Sequence, residues 1–268
     1  MGDAAGLRQF MIAWAEMARG ANQPSIQPVW NREILMARDP PYITCNHREY
    51  EQILSPNTYI KEEDTTIVVH QSFFFTPAHI AVIRCLIEPD EEVRMMCIVN
   101  ARSRFSANPS LFVGYYGNCI AFSAAVTTAK ELCGNQLGYA VELIRKAKTQ
   151  VTEEYMHSLA DFMVIKERCL FTTGRTCIVS DWTRANFSEV NFGWGETIYG
   201  GVVKGGIGSY LGGTYIVPHK NAKGEEGLIL PICLPPEDMK RFAKELDDML
   251  GNQNYPTMSG PSFILSTL

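Results

Sequence analysis

Apolar residues recur at helical spacing from the start of the chain, with Leu7, Phe10, Met11, Trp14 and Met17 falling on one face. Asp3 is placed to cap that helix and Gly20 to stop it. Between positions 21 and 57 the pattern breaks. Pro24, Pro28, Pro40, Pro41 and Pro56 hold their predecessors extended and forbid a long helix, so the stretch reads as a crossover. Beyond it the pattern predicts a strand over 70–75, a short helix over 77–86 and a strand over 93–100. A further strand is expected over 117–126. Asn135 then reads as the cap of a long helix through Ala140, Val141, Ile144, Ala147 and Val151, and Thr152 with Glu153 and Glu154 as a helix restart. Strands follow over 176–181, 197–203, 214–218 and 227–234, and a last helix carries Met239, Phe242, Leu246 and Met249 on one face. Strands and helices alternate throughout, which predicts an α/β fold. The glycine-rich stretch 200–213 fits neither the dinucleotide nor the P-loop fingerprint, because Leu211 and Lys204 fall in the wrong places, and it reads as turns.

With 46% apolar residues and 10% aromatics, the 268-residue chain can fill one large core or two ordinary ones. Its 24 Lys and Arg against 29 Asp and Glu give a net charge of −5 and no basic stripe, so nucleic acid is not an expected partner. No apolar run is long enough to span a bilayer, and no membrane partner is expected. The opening residues lack a secretory pattern, Gly6 stands where myristoylation wants Ser or Thr, and Thr267 stands where the peroxisomal tripeptide wants Lys. The eight cysteines are scattered without a C-x-x-C pair, so no zinc or other metal site is expected. Cys97 and Cys233 lie in apolar runs and read as small hydrophobes, which fits a reducing cytoplasm.

Four segments carry more specific information. Val99-Asn100-Ala101-Arg102-Ser103-Arg104 is followed by Gly114-Tyr115-Tyr116-Gly117-Asn118, then Ser180-Asp181-Trp182-Thr183-Arg184, then Asn191-Phe192-Gly193-Trp194-Gly195. In that order they resemble the V-N-x-R-x-R, G-Y-x-G-N, S-x-W-x-R and D-F-G-W-G segments of the BAHD acyltransferases. Pro28-Val29-Trp30-Asn31-Arg32-Glu33 and Ala37-Arg38-Asp39-Pro40-Pro41 are similar to the family's ester-forming alcohol acyltransferase branch. Nearly the whole chain aligns in this way.

The resemblance implies a two-domain architecture like chloramphenicol acetyltransferase, with residues 1–60 a remnant of the N-terminal domain and 61–268 the C-terminal acyltransferase domain. It also implies transfer of an acyl group, benzoyl or acetyl, from acyl-CoA to an alcohol such as benzyl alcohol. Acyl-CoA is a co-substrate there, no cofactor is expected, and the partners are acyl-CoA and a small alcohol acting on a monomer. In the family the histidine of an H-x-x-x-D motif is the base. Here Met1 to Leu7 resemble the motif's tail with Asp3 as its aspartate, which places the histidine two residues before Met1. The chain also omits a helix that relatives carry ahead of V-N-x-R, running from Leu86 almost directly into Pro89, and it has Asn191 where the family has aspartate. A positioned base contributes about 10²–10⁴ in rate, so the chain as written is expected to be inactive. The alternative is a non-catalytic truncated product that binds acyl-CoA weakly or serves as an interaction module.

The remaining candidates divide between chemistry and structure. Arg102 and Arg104 either contact coenzyme A phosphates or, for Arg102, pair with Asp3, and the pairing is preferred. Ser180, Asp181, Trp182 and Arg184 border the acyl site in relatives, or form a strand end with a packed tryptophan. Asn191, Phe192, Gly193, Trp194 and Gly195 read as a structural motif, with Trp194 a packing anchor. His157 and Asp161 spell H-x-x-x-D but sit one helical turn apart, which reads as an ordinary helix pair. His47 beside Arg48 and Glu49 reads as a solvated loop residue, and His70, His79 and His219 lack metal spacing.

Overall fold

Six strands form one sheet: β1 (Val69–Phe75), β2 (Glu92–Asn100), β3 (Ile120–Thr128), β4 (Thr176–Asp181), β5 (Gly213–Lys220) and β6 (Glu226–Leu234), in the order β1-β6-β5-β4-β2-β3. The computed structural model describes residues 2–51, 69–75, 90–105, 112–172, 176–195, 197, 199–201, 213–220, 224 and 226–250. β2, β4 and β5 run parallel, while β3, β6 and β1 are antiparallel to their neighbours. A parallel pair needs a long crossover. Between β2 and β4 it is supplied by β3 and helices α2 (Ala129–Gly134), α3 (Leu137–Gln150) and α4 (Glu153–Ile165). Met96 and Cys97 are both buried on β2, as expected for a central strand with both faces covered.

The main core joins Cys97, Val99, Phe105, Cys119, Val151 and Tyr155, drawing on β2, the turns beyond it and the start of α4. A second cluster seats Met239 and Leu246 of helix α5 (Pro236–Leu250) on Ile232 of β6. The first helix, α1 (Ala4–Ala18), begins where Asp3 Oδ1 accepts the Gly6 amide at 2.9 Å, and Gly20 follows its end with φ +94°. Thr152 caps α4 by accepting the Tyr155 amide at 3.1 Å.

Two expectations change. Asn135 ends a helix instead of starting one: its amide and side chain both bond the Glu131 carbonyl, at 3.2 and 2.8 Å, closing α2, and Gln136 holds the N-cap position of α3. A short polar side chain can satisfy a helix terminus from either end, so the residue type alone does not give the direction. The stretch expected as a strand over 197–203 is not one at positions 197 and 199–201. Thr197 instead turns its hydroxyl to the Val190 carbonyl at 2.5 Å, and Gly200 lies against the Phe187 side chain with no room for a Cβ. The helix expected over 77–86 lies outside the described residues.

Candidate functional site

Parallel pairing of β2 with β4, from Arg94 opposite Thr176 to Cys97 opposite Val179, makes both strands leave the sheet in the same direction. The 99–104 and 180–184 segments therefore emerge at one carboxyl edge, with β5 alongside, Ser180 opposite Tyr215. In open α/β sheets that edge is where ligands bind.

Asp3 anchors α1 to this edge. Its Oδ2 accepts Arg102 Nη1 at 2.7 Å and the Cys119 amide at 2.8 Å, and the side chain is only 5% exposed. Arg102 also gives Nη2 to the carbonyls of Gly117 at 2.8 Å and Tyr115 at 3.3 Å, and shares Nη1 with Asn100 Oδ1 at 3.3 Å. Asn100 Oδ1 in turn accepts the Arg102 amide at 3.1 Å. The Arg102 fork is thus spent inside the protein and ties 100–102, 115–117 and the start of α1 together. The structure brings Asp3, Asn100 and Arg102 into one network and leaves Arg104 outside it, directed to the Lys148 carbonyl at 3.4 Å. Burial pushes the neighbouring Cys119 thiol up to about 11, so it stays protonated and inert.

At the end of β4, Ser180 is buried and its hydroxyl accepts Trp182 Nε1 at 2.9 Å. The Trp182 ring lies between Phe187 and Tyr215, each 5.7 Å away between centroids. Asp181 faces outward and accepts the Thr183 amide and hydroxyl at 2.9 and 2.6 Å, holding the turn that presents the exposed Arg184. The segment thus combines a packed tryptophan with an exposed polar turn.

Asn191 accepts the Gly193 amide at 2.7 Å, and Gly193 and Gly195 take φ of +96° and +132°, a loop that side chains would strain. Asn191 is exposed. Asn191→Asp should therefore change unfolding free energy by no more than about 0.5 kcal/mol, as checked by urea denaturation. Trp194 is not a packing anchor. It is 92% exposed, and among the described residues its ring contact is with Phe192 at 5.9 Å.

His47 is not solvated either; it is 4% exposed, beside Glu49 at 2% and Ser158 at 0%. Its Nδ1 lies 3.2 Å from Glu49 Oε1 and its Nε2 2.9 Å from Ser158 Oγ. Tyr155 donates its hydroxyl to the same Glu49 oxygen, and Ser158 Oγ accepts the amides of Thr44 and Cys45 at 3.0 and 2.9 Å. A neutral imidazole carrying its proton on Nδ1 satisfies every group: Nδ1–H donates to Glu49 and Ser158 O–H donates to Nε2. Burial first, and then the Glu49 charge, push the Tyr155 phenol well above its usual range, so it remains a donor. The order serine, histidine, glutamate is that of an activated nucleophile, but Ser158 has no surface and both its lone pairs are used. It fastens the crossover segment to α4.

His157 and Asp161 do not pair with each other. Asp161, fully buried, accepts Arg38 Nε at 2.5 Å and the Arg38 amide at 2.7 Å, while the His157 ring rests edge-on against Phe105. Burial raises the Asp161 carboxyl, but the Arg38 contacts outweigh it and hold the group below its usual range. His219 sits on β5 against Tyr199, and burial lowers its pKa. The His70 side chain and His79 lie outside the described residues. Among the described residues no group of His, Cys, Asp and Glu could hold a metal ion, and no helix is long and apolar enough to cross a membrane.

The family model described as "Transferase family" matches residues 1–86 and 80–249. The benzyl alcohol O-benzoyltransferase of Petunia hybrida is 51% identical over 279 residues, covering 93% of this chain and 60% of that enzyme. The chain belongs to the BAHD Transferase family. The Nicotiana tabacum benzyl alcohol O-benzoyltransferase is 49% identical, covering 95% of this chain and 62% of its own length. Alcohol acyl transferase 1 allele GSa of Malus domestica is 44% identical, with 92% and 59% covered. The chain thus spans about 60% of the length of the curated relatives it matches. The family match also breaks and overlaps at 80–86, where the chain passes directly from Leu86 toward Pro89. Among solved structures, vinorine synthase superposes with a TM-score of 0.58 at 15% identity, covering 92% of this chain and 60% of that one. The F. graminearum TRI101 complex with coenzyme A and deoxynivalenol gives 0.61 at 15%, covering 92% and 64%. These two establish the shared chloramphenicol acetyltransferase-like α/β fold.

Proposed function

We propose that this chain forms the acyl-CoA side of an alcohol acyltransferase, which moves a benzoyl or acetyl group from acyl-CoA to an alcohol such as benzyl alcohol. Identity of 51% to a benzyl alcohol O-benzoyltransferase, across all four motif segments, carries this reading. In such a reaction the alcohol oxygen attacks the thioester carbonyl, a base accepts the hydroxyl proton, and the coenzyme A thiolate leaves. The site must therefore supply a base and donors to the oxyanion. Asp3 is unsuited to be the base, since both its oxygens are engaged and it serves to fix α1 against Arg102. On the family resemblance the base is the H-x-x-x-D histidine, a role that His47, sealed beside Glu49 and Ser158, cannot fill, while His157 keeps 28% of its side chain exposed beside Phe105 and Glu153. Residues 180–184 border the acyl group, Arg104 and Arg184 are the candidates for coenzyme A phosphates, and no cofactor beyond acyl-CoA takes part. On this reading residues 1–60 belong to a first domain and 61–268 to a second, and the protein works in the cytoplasm as a monomer.

The test is esterification of benzyl alcohol with benzoyl-CoA or acetyl-CoA. Two proteins are compared: this chain, and the chain joined behind the unmatched part of the petunia enzyme with its missing helix restored. Turnover by the joined protein at least about 10²-fold above the chain alone is expected. Equal turnover by the chain alone would sink the assignment of the base. No turnover by a folded joined protein would favour the non-catalytic reading.

A further inference from the structure

We propose that His47 is a proton-operated latch on the crossover: neutral, it completes the clamp that holds the 44–45 backbone to α4 through Ser158, and on taking up a second proton it costs that clamp one of its bonds. The neutral arrangement leaves no capacity unused at the serine. Its proton goes to His47 Nε2 at 2.9 Å, and its two lone pairs take the amides of Thr44 at 3.0 Å and Cys45 at 2.9 Å. Nδ1 already carries a proton toward Glu49, so a second one must go to Nε2. Two donors then face each other. A helical serine can turn its hydroxyl back to the carbonyl four residues earlier, here that of Glu154, but Oγ must then accept Nε2–H in place of one amide. The ring has little freedom to turn away instead, because Tyr155 and Phe162 pack on it at 4.7 and 5.1 Å between centroids. The two amide bonds are only part-buried, so water can take over the one that is released.

The surroundings supply the counter-charge and a path. Glu49 touches the ring and Tyr155 donates to the same carboxylate oxygen. On the ring's own segment Cys45, Tyr50 and Glu51 stand near it, and from α4 Lys166 joins them around a cavity of about 310 Å³ that has His47 in its wall. From β2, Arg94 bonds the Arg48 carbonyl and Glu92, and from beyond α4, Cys169 lies near Tyr50 while Thr172 gives its amide to the Glu49 carbonyl at 2.9 Å. Burial first, and then the Glu49 charge, push the Tyr50 and Tyr155 phenols well above their usual range. They keep their protons wherever histidines change charge.

The neighbouring clamp is built to ignore that range. Asp161 accepts the Arg38 amide at 2.7 Å and is held below the usual carboxylate range, against burial, by its Arg38 bonds. Glu154 is lowered too, by the Thr44 hydroxyl first and Arg38 next. A carboxylate with a depressed pKa keeps its charge, and the stability that charge gives, until the pH falls through the depressed value. The histidine gains its proton earlier on the way down. Acidification from about pH 8 to about pH 5 should therefore loosen the crossover at Thr44 and Cys45 while the Arg38 end stays fastened.

Amide hydrogen exchange of the 268-residue chain at both ends of that range, corrected for intrinsic exchange, tests this without any assay of acyl transfer. Protection at Thr44 or Cys45 should fall at least about tenfold in acid relative to the Arg38 and β2 amides. The fall should follow the ¹⁵N shift of His47 Nε2. His47→Gln offers Glu49 a donor and Ser158 an acceptor but does not titrate, and should remove the pH response. Equal protection at both pH values, a loss shared by the Arg38 amide, or a response that survives His47→Gln overturns the proposal. Should that variant fail to fold, the wild-type shifts decide: loss of protection with no change at His47 Nε2 overturns the latch, and a common midpoint supports it.

Discussion

Arg102→Ala is expected to lower the unfolding free energy by about 3–5 kcal/mol, the cost of leaving a buried carboxylate without its partner. Asp3 is only 5% exposed, and the carbonyls of Tyr115 and Gly117 lose their donor at the same time. A loss of that size removes much of the stability of an ordinary domain. Arg102→Lys keeps the charge but not the bidentate geometry and should fall between wild type and Arg102→Ala. Arg104→Ala should cost no more than about 1 kcal/mol, because among the described residues its guanidinium makes one long bond, to the Lys148 carbonyl at 3.4 Å. Urea unfolding followed by tryptophan fluorescence measures all three. A cost below about 1 kcal/mol for Arg102→Ala would mean a surface-like pair, and would return Arg102 to the candidates for phosphate binding.

Ser158→Ala should cost about 2–4 kcal/mol, since one fully buried hydroxyl serves the part-buried amides of Thr44 and Cys45 and the buried His47 Nε2. The alanine cannot accept either amide, and His47 Nε2 loses its hydrogen bond to α4. The specific readout is amide hydrogen exchange at Thr44 and Cys45, where protection should fall while that of β2 holds. Wild-type Ser158 should also fail to react with a fluorophosphonate probe. Rapid labelling would show that the serine, histidine and glutamate can open to solvent and act as a nucleophilic site.

What could be read from residue order follows the range of the interactions involved. The Asp3 cap and the Thr152 cap are contacts three residues apart, and both helices begin where those residues indicate. β4, β5, β6 and α5 follow their apolar periodicity, because alternation and helical spacing are local properties. The pairing of Asp3 with Arg102 spans 99 positions and was accessible only through the motif resemblance. His47 was misread because its spacing to Glu49 is ordinary for a polar loop, while the partner that buries it, Ser158, is 111 positions away. Trp194 is expected as a packing anchor from the motif resemblance, and nothing local reveals that in this chain it stacks on Phe192 and stays 92% exposed. The Asn135 cap failed on direction, since Glu131 behind it supplied a nearer partner than the helix ahead.

The central claim is that the carboxyl edge of β2, β4 and β5 receives the acyl thioester. Photolabelling the joined protein with a benzophenone-carboxylic thioester of coenzyme A, and mapping the adduct by mass spectrometry, tests that placement most directly. The expected result is an adduct within residues 180–184 or 213–220, suppressed by excess benzoyl-CoA. Suppressible labelling confined to residues far from that edge, such as α5 or the 43–50 segment, would contradict it.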